Sequence, residues 1–130
     1  MNPINLENNA SYNFKAPSIN DDAGKKIEPV FPTSEKVSPV ITSNKANAAV
    51  RRAVTVIDLG SVAAAQELTL EPEAANLNIG ALVVVSWTSD TTARAVTVKV
   101  GTGTVATLAG TISAKVNKQL LWDGSGFLAI

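Results

Sequence analysis

ALVVVSWTSDTTARAVTVKVG, residues 81–101, decides how this chain folds. Its second half, RAVTVKV at 94–100, places Val96, Val98 and Val100 on one side and Thr97 and Lys99 on the other. Side chains alternate faces along a strand, so this period of two predicts a strand with valines inward and Thr and Lys in water. Its first half, ALVVVSWT at 81–88, is apolar on both faces until Ser86, which marks a strand in the middle of a sheet. Ser89-Asp90-Thr91-Thr92 between them carries turn-forming side chains.

The same grammar extends in both directions. Downstream, Gly101-Thr102-Gly103 predicts a hairpin turn into a strand at 104–108, and Gly110 separates that from TISAKV at 111–116. Asn117-Lys118 leads to a strand at 119–122, Asp123-Gly124-Ser125-Gly126 turns the chain, and Phe127-Leu128-Ala129-Ile130 closes it. Upstream, AVTVIDL at 53–59 reads as a strand ended by Gly60-Ser61. Leu68 and Leu70 mark another, stopped by Glu71-Pro72-Glu73, and Leu77 with Ile79 marks a short segment bent at Gly80. Closely spaced short strands with no βαβ alternation predict an all-β domain over 53–130, a small antiparallel β-sandwich or jelly roll. With aromatic residues at 5%, its core must be built from Val, Leu, Ile and Ala. The Thr-rich outward positions suit a solvated sheet face.

Residues 1–52 read differently. Pro3, Pro17, Pro29, Pro32 and Pro39 punctuate them, each removing a backbone donor and turning the preceding residue away from helical geometry. Apolar residues occur singly or in pairs, as anchors along a strip and not as one face of a helix. The expectation is a long extended N-terminal arm, which at full extension reaches on the order of 160 Å. Tyr12, Phe14, Phe31, Val40 and Ile41 are its candidate partner-binding anchors, because an apolar side chain on a polar extended segment has nowhere of its own to hide. Val40-Ile41 also suits strand addition to another chain's sheet edge. NKANAAVRR at 44–52, Ala-rich and ending in Arg, is the one stretch with helical character.

Composition narrows the function classes. The chain has no Cys, which removes disulfides and thiolate metal sites, and no His, which removes the usual metal ligand and the usual base near neutral pH. Without the arm roughly 80 residues remain, a marginal size for one core, so a homo-oligomer is the expected support. Eleven basic residues balance eleven acidic ones, leaving no net field toward nucleic acid or an anionic membrane. No secretory signal pattern opens the sequence, and the strongly apolar run at 81–85 is too short for a bilayer, so a soluble chain made in a cytoplasm is expected.

No motif assembles a catalytic site, and neither cofactor nor metal is expected. Gly101-Thr102-Gly103-Thr104 lacks the helix that would aim donors at a phosphate. Asp58, Glu67, Glu71, Glu73, Asp90 and Asp123 include the carboxylates a glycosidase pair would need, but they fall at expected strand ends and turns. Asn20-Asp21-Asp22 has neither the spacing nor the terminal Glu of a calcium loop. Trp87 and Trp122 fit either a sugar-stacking platform or a pair of core or interface anchors.

KQLLWDGSGFLAI, residues 118–130, resembles the closing hairpin of many bacteriophage virion β-domains, with its aromatic-Asp-Gly turn and short last strand. LTLEPEAANLNIGALVVVSWTSDTTARAVTVKVG, residues 68–101, resembles small head-fibre and capsid-decoration domains. The resemblance implies a structural virion protein, an auxiliary capsid subunit on the capsid surface. It would be trimeric and attached to the major capsid protein by its N-terminal segment. A tail or fibre-tip module binding a receptor or glycan through Trp87 or Trp122 is the alternative.

Overall fold

The computed structural model describes residues 33–130, together with the backbone pairing of two short strands, β1 (Ile19–Asn20) and β2 (Lys26–Ile27), which form an antiparallel ribbon. The chain divides into two units, Met1–Phe31 and Pro32–Ile130. The second unit is built from nine strands: β3 (Ser34–Val37), β4 (Lys45–Val50), β5 (Val54–Val62), β6 (Gln66–Pro72), β7 (Leu82–Ser89), β8 (Val96–Val100), β9 (Gly103–Leu108), β10 (Lys115–Trp122) and β11 (Phe127–Ala129). The expected boundary at residue 52 is therefore corrected to Phe31/Pro32, since β3 and β4 belong to the sheets.

The strands form a five-stranded sheet, β11-β10-β7-β5-β3, and a four-stranded sheet, β4-β6-β8-β9. From β3 to β8 the chain alternates sheets at every strand, so consecutive strands face each other and do not pair. The partners are next-but-one: β3, β5 and β7 run parallel, as do β4, β6 and β8. The winding ends in two hairpins, β8 with β9 and β10 with β11, and β10 runs antiparallel to β7. The domain is β-rich as expected, but its sheets are mixed. That excludes the all-antiparallel sandwich and the jelly roll, whose strands pair antiparallel throughout.

One core lies between the sheets. Val83, Val85 and Trp87 of β7, Ile57 of β5 and Leu120 of β10 meet Val50 of β4, Leu68 and Leu70 of β6, and Val96 and Val98 of β8. All of these are sealed from solvent or nearly so. The alternation of residues 94–100 holds: Val96 and Val98 point inward and Val100 packs partly against the core. β7 occupies the centre of its sheet, as its two-sided apolar sequence requires.

Four local expectations are corrected. Residues 44–52 carry β4 and no helix. Ser43 and Asn44 sit at φ 52° and 63°, and Thr42 and Lys45 exchange backbone hydrogen bonds of 2.9 and 3.1 Å across them. This tight turn feeds Ala46, Ala48 and Val50 into the core, so burial outweighs alanine's weak helical preference. Gly60 does not end β5. At φ 71° it forms a bulge, its N–H held by Asp58 Oδ1 at 2.9 Å, and the strand continues to Val62. Around Leu77 a single 3-10 turn, Ala74–Asn76, replaces the expected strand. Thr111 and Ala114 bridge a tight turn about Ser113, and β10 then runs unbroken through Asn117 and Lys118.

Candidate functional site

The candidate anchors separate into three groups. Tyr12, Phe14 and Phe31 lie outside the described residues, as do Asp21 and Asp22. Val40 is 84% exposed on the link between β3 and β4. Ile41 is partly buried and packs against the domain's own core.

The tryptophans are core residues. Trp87 is fully enclosed and donates its Nε1 hydrogen to the Arg94 carbonyl at 2.9 Å. Trp122, 4% exposed, tilts against Phe127 with ring centroids 5.0 Å apart. Neither ring offers a free face to a sugar, so of the two readings open in the sequence the core anchor is correct.

The carboxylates are each engaged locally. Asp90 accepts hydrogen bonds from Nε and Nη2 of Arg94, at 2.8 and 3.0 Å, and from the Thr92 N–H. These contacts hold its carboxyl down at about 2. Asp123 accepts the N–H groups of Ser125 and Gly126 at 2.9 and 2.8 Å, which lowers its pKa and fixes the β10–β11 turn. Glu67 lies between Lys99 and Lys45 and is lowered chiefly by the Lys99 hydrogen bond. Glu35 is lowered chiefly by Arg51, which reaches both its oxygens at 3.2 and 3.0 Å. Asp58 Oδ2 lies 3.6 Å from Lys36 Nζ and 3.9 Å from Lys115 Nζ. Among the described residues no cluster of acidic side chains is placed to hold a metal, and no helix is long and apolar enough to cross a membrane.

The two outer sheet faces differ in chemistry. On the four-stranded sheet the register lines up Lys45, Glu67, Thr97 and Thr107 in one row and Asn47, Thr69, Lys99 and Thr104 in the next. This is the solvated, Thr-rich face expected from the sequence. On the five-stranded sheet the corresponding rows are Ser34, Val54, Leu82, Leu121 and Leu128, then Lys36, Val56, Val84 and Gln119. Ile130 joins the second row through its N–H, which donates to the Gln119 carbonyl at 3.0 Å.

Compared with known protein families, curated proteins and solved structures, the chain matches none.

The apolar outer rows went unrecognised in the sequence, although a signal was present. The two-sided apolar run at 81–88 supplies Leu82 and Val84, and it was read only as the mark of a central strand. β7 is central within its sheet, yet among the described residues no layer covers its outer side: both residues are only partly buried, and Leu128 and Ile130 beyond them are 52% and 68% exposed.

Proposed function

We propose that this chain is a structural virion protein, a head-fibre or auxiliary capsid subunit that decorates a bacteriophage capsid and is held there by its N-terminal segment. The observation that carries this reading is the division of the chain. Pro32–Ile130 closes a core in which every buried apolar side chain of the described residues lies between Ala46 and Phe127. Tyr12, Phe14 and Phe31 precede that core in sequence, on a proline-punctuated segment of the kind that orders by burying anchors in a partner. The partner in this reading is the major capsid protein. Attachment follows from anchor burial, and a trimer would multiply it, because once one segment is seated its sisters bind at high effective concentration. The β-domain then stands on the capsid surface as a folded outer element.

Co-sedimentation with assembled particles tests the reading. The full chain is expected to pellet with particles, whereas a chain beginning at Thr33, checked for folding by circular dichroism, is expected to stay in the supernatant. Equal pelleting of both would place the attachment in the β-domain, and failure of both would end the decoration reading.

A further inference from the structure

We infer that β3 is a releasable strand, held on the five-stranded sheet by charge more than by burial, which leaves while the rest of the domain stays folded. The inference rests on the attachment reading only for what pulls on the strand.

β3 differs from its neighbours in what secures it. Of the nine strands in Pro32–Ile130 it alone contains no buried residue. Its one apolar side chain, Val37, is only partly buried, beside Ile57. The strand is four residues long, lies at the edge of its sheet and pairs in parallel with β5. Short charged edge strands with little apolar burial are the parts of a sheet that open at least cost.

What replaces burial is a set of ion pairs. Glu35 accepts hydrogen bonds from Arg51 Nε and Nη2 at 3.2 and 3.0 Å, and Arg52 Nε lies 3.9 Å from the same carboxylate. Both arginines stand on the connection between β4 and β5, so Glu35 ties the first strand of one sheet to the exit of the first strand of the other. Lys36, on the opposite face, reaches Asp58 of β5 at 3.6 Å. All five side chains meet water, which places their attraction within reach of dissolved salt.

Polar atoms beside the strand lower the cost of its departure. Thr55 is the register partner of Glu35, and its buried Oγ1 has no hydrogen-bond partner. Arg52 Nε is likewise buried and without one. Both gain water when β3 leaves, which offsets part of what Val37 loses. The opening has a natural end. Ile41 packs against the core, and the paired backbone bonds between Thr42 and Lys45 fix the entry to β4. Release therefore frees residues 33–40, a stretch of roughly 25 Å when extended. The N-terminal segment joins the domain directly before β3, so tension on that segment falls on this strand first. Release lengthens the tether and leaves the core between the sheets closed.

Amide hydrogen exchange of the full chain, followed by NMR without particles, tests the proposal. The Val54 N–H donates to the Thr33 carbonyl at 3.0 Å and reports on β3, whereas the Leu82 N–H donates to the Ala53 carbonyl at 2.8 Å and reports on the interior pair β5–β7. Raising sodium chloride from about 20 mM to about 1 M is expected to speed Val54 exchange roughly fivefold or more. Leu82 exchange is expected to change by less than about twofold. Glu35→Gln should speed Val54 at low salt and remove most of its salt response, and Lys36→Gln should act in the same direction. Glu67→Gln, which breaks the pairs with Lys45 and Lys99 on the other sheet, should leave Val54 unchanged.

Val54 exchange indifferent to both salt and Glu35→Gln would overturn the proposal, because charge would then not be what holds β3. Equal acceleration of Leu82, or of Val54 by Glu67→Gln, would overturn it too, because the domain would then open as one unit. With no particles present, each result is separate from success or failure of capsid attachment.

Discussion

Trp87 Nε1 donates a 2.9 Å hydrogen bond to the main-chain carbonyl of Arg94, seven residues on, from a fully buried indole. The bond ties the β7–β8 connection to the core. From the other side, Arg94 N–H donates to Ser89 Oγ at 3.0 Å and its guanidinium grips Asp90. Trp87→Phe keeps an aromatic ring but leaves that carbonyl without its donor and opens space where the pyrrole ring sat. A loss of about 2–4 kcal/mol is expected in urea unfolding, followed by the fluorescence of Trp122.

Gly110 packs against the same carbonyl. A Cβ at this position would collide with the Arg94 carbonyl oxygen and stand 2.7 Å from Ser89 Oγ. Gly110→Ala must therefore push apart backbone that Trp87 and Ser89 hold in place, and about 2 kcal/mol or more should be lost. Gly103→Ala is the control, with its nearest neighbour, the Val100 carbonyl oxygen, at 3.7 Å. Its stability should stay within about 0.5 kcal/mol of the parent in the same titration.

The Asp90–Arg94 pair sets an acid-side dependence. Folding lowers the Asp90 pKa from 3.8 to about 2, so the folded state binds the proton less readily than the unfolded chain. The carboxylate's contribution is complete above 3.8 and disappears as pH falls through about 2. Asp90→Asn removes that contribution. The stability difference between parent and variant should be constant above the unfolded pKa and shrink steadily below it, as read from urea midpoints along a pH series. A difference that widens on acidification would contradict the assignment. Asp123, Glu35 and Glu67 are lowered in the same direction and add to the parent's loss in acid.

Truncation distinguishes the observed domain boundary from the one suggested by composition. A chain beginning at Ala53 lacks β3 and β4, and with β4 it loses an edge strand of the four-stranded sheet together with Ala46, Ala48 and Val50, all buried in the core between the sheets. It uncovers Leu68 and Leu70, and loss of cooperative thermal unfolding is expected, because several kcal/mol of burial are removed from a domain of marginal stability. A chain beginning at Thr33 keeps all nine strands and should unfold cooperatively, as measured by circular dichroism.

The strands of the C-terminal half were legible because their burial is two-sided and local. Val96 and Val98 against Thr97 and Lys99 reveal both the strand and its inner face, and the acceptor oxygen of Asp123 makes its turn readable. β4 was not legible. Its alanines carry a weak helical preference, and only their place beside Leu68 and Leu70, under the opposite sheet, makes them core residues. Trp87 was readable as an anchor but not as the donor to Arg94, because that contact depends on where a connecting loop returns. Ser86 breaks the apolar run in the sequence yet is itself buried, and the partly exposed state of Leu82 and Val84 could not be seen without knowing whether a layer lies over them.

From its own alternation the chain determined which segments are extended and which side chains turn inward, since a period of two is a property of the strand backbone itself. Pairing was decided only in the tertiary structure. Ser34 lies beside Val54, and Val54 beside Leu82, because the chain crosses to the opposite sheet between them. A parallel neighbour is reached by such a crossover, and neither its direction nor its register leaves a mark in the residues that pair. The same crossing brings Val54, Leu82, Leu121 and Leu128 into one outer row, although each belongs to a different strand.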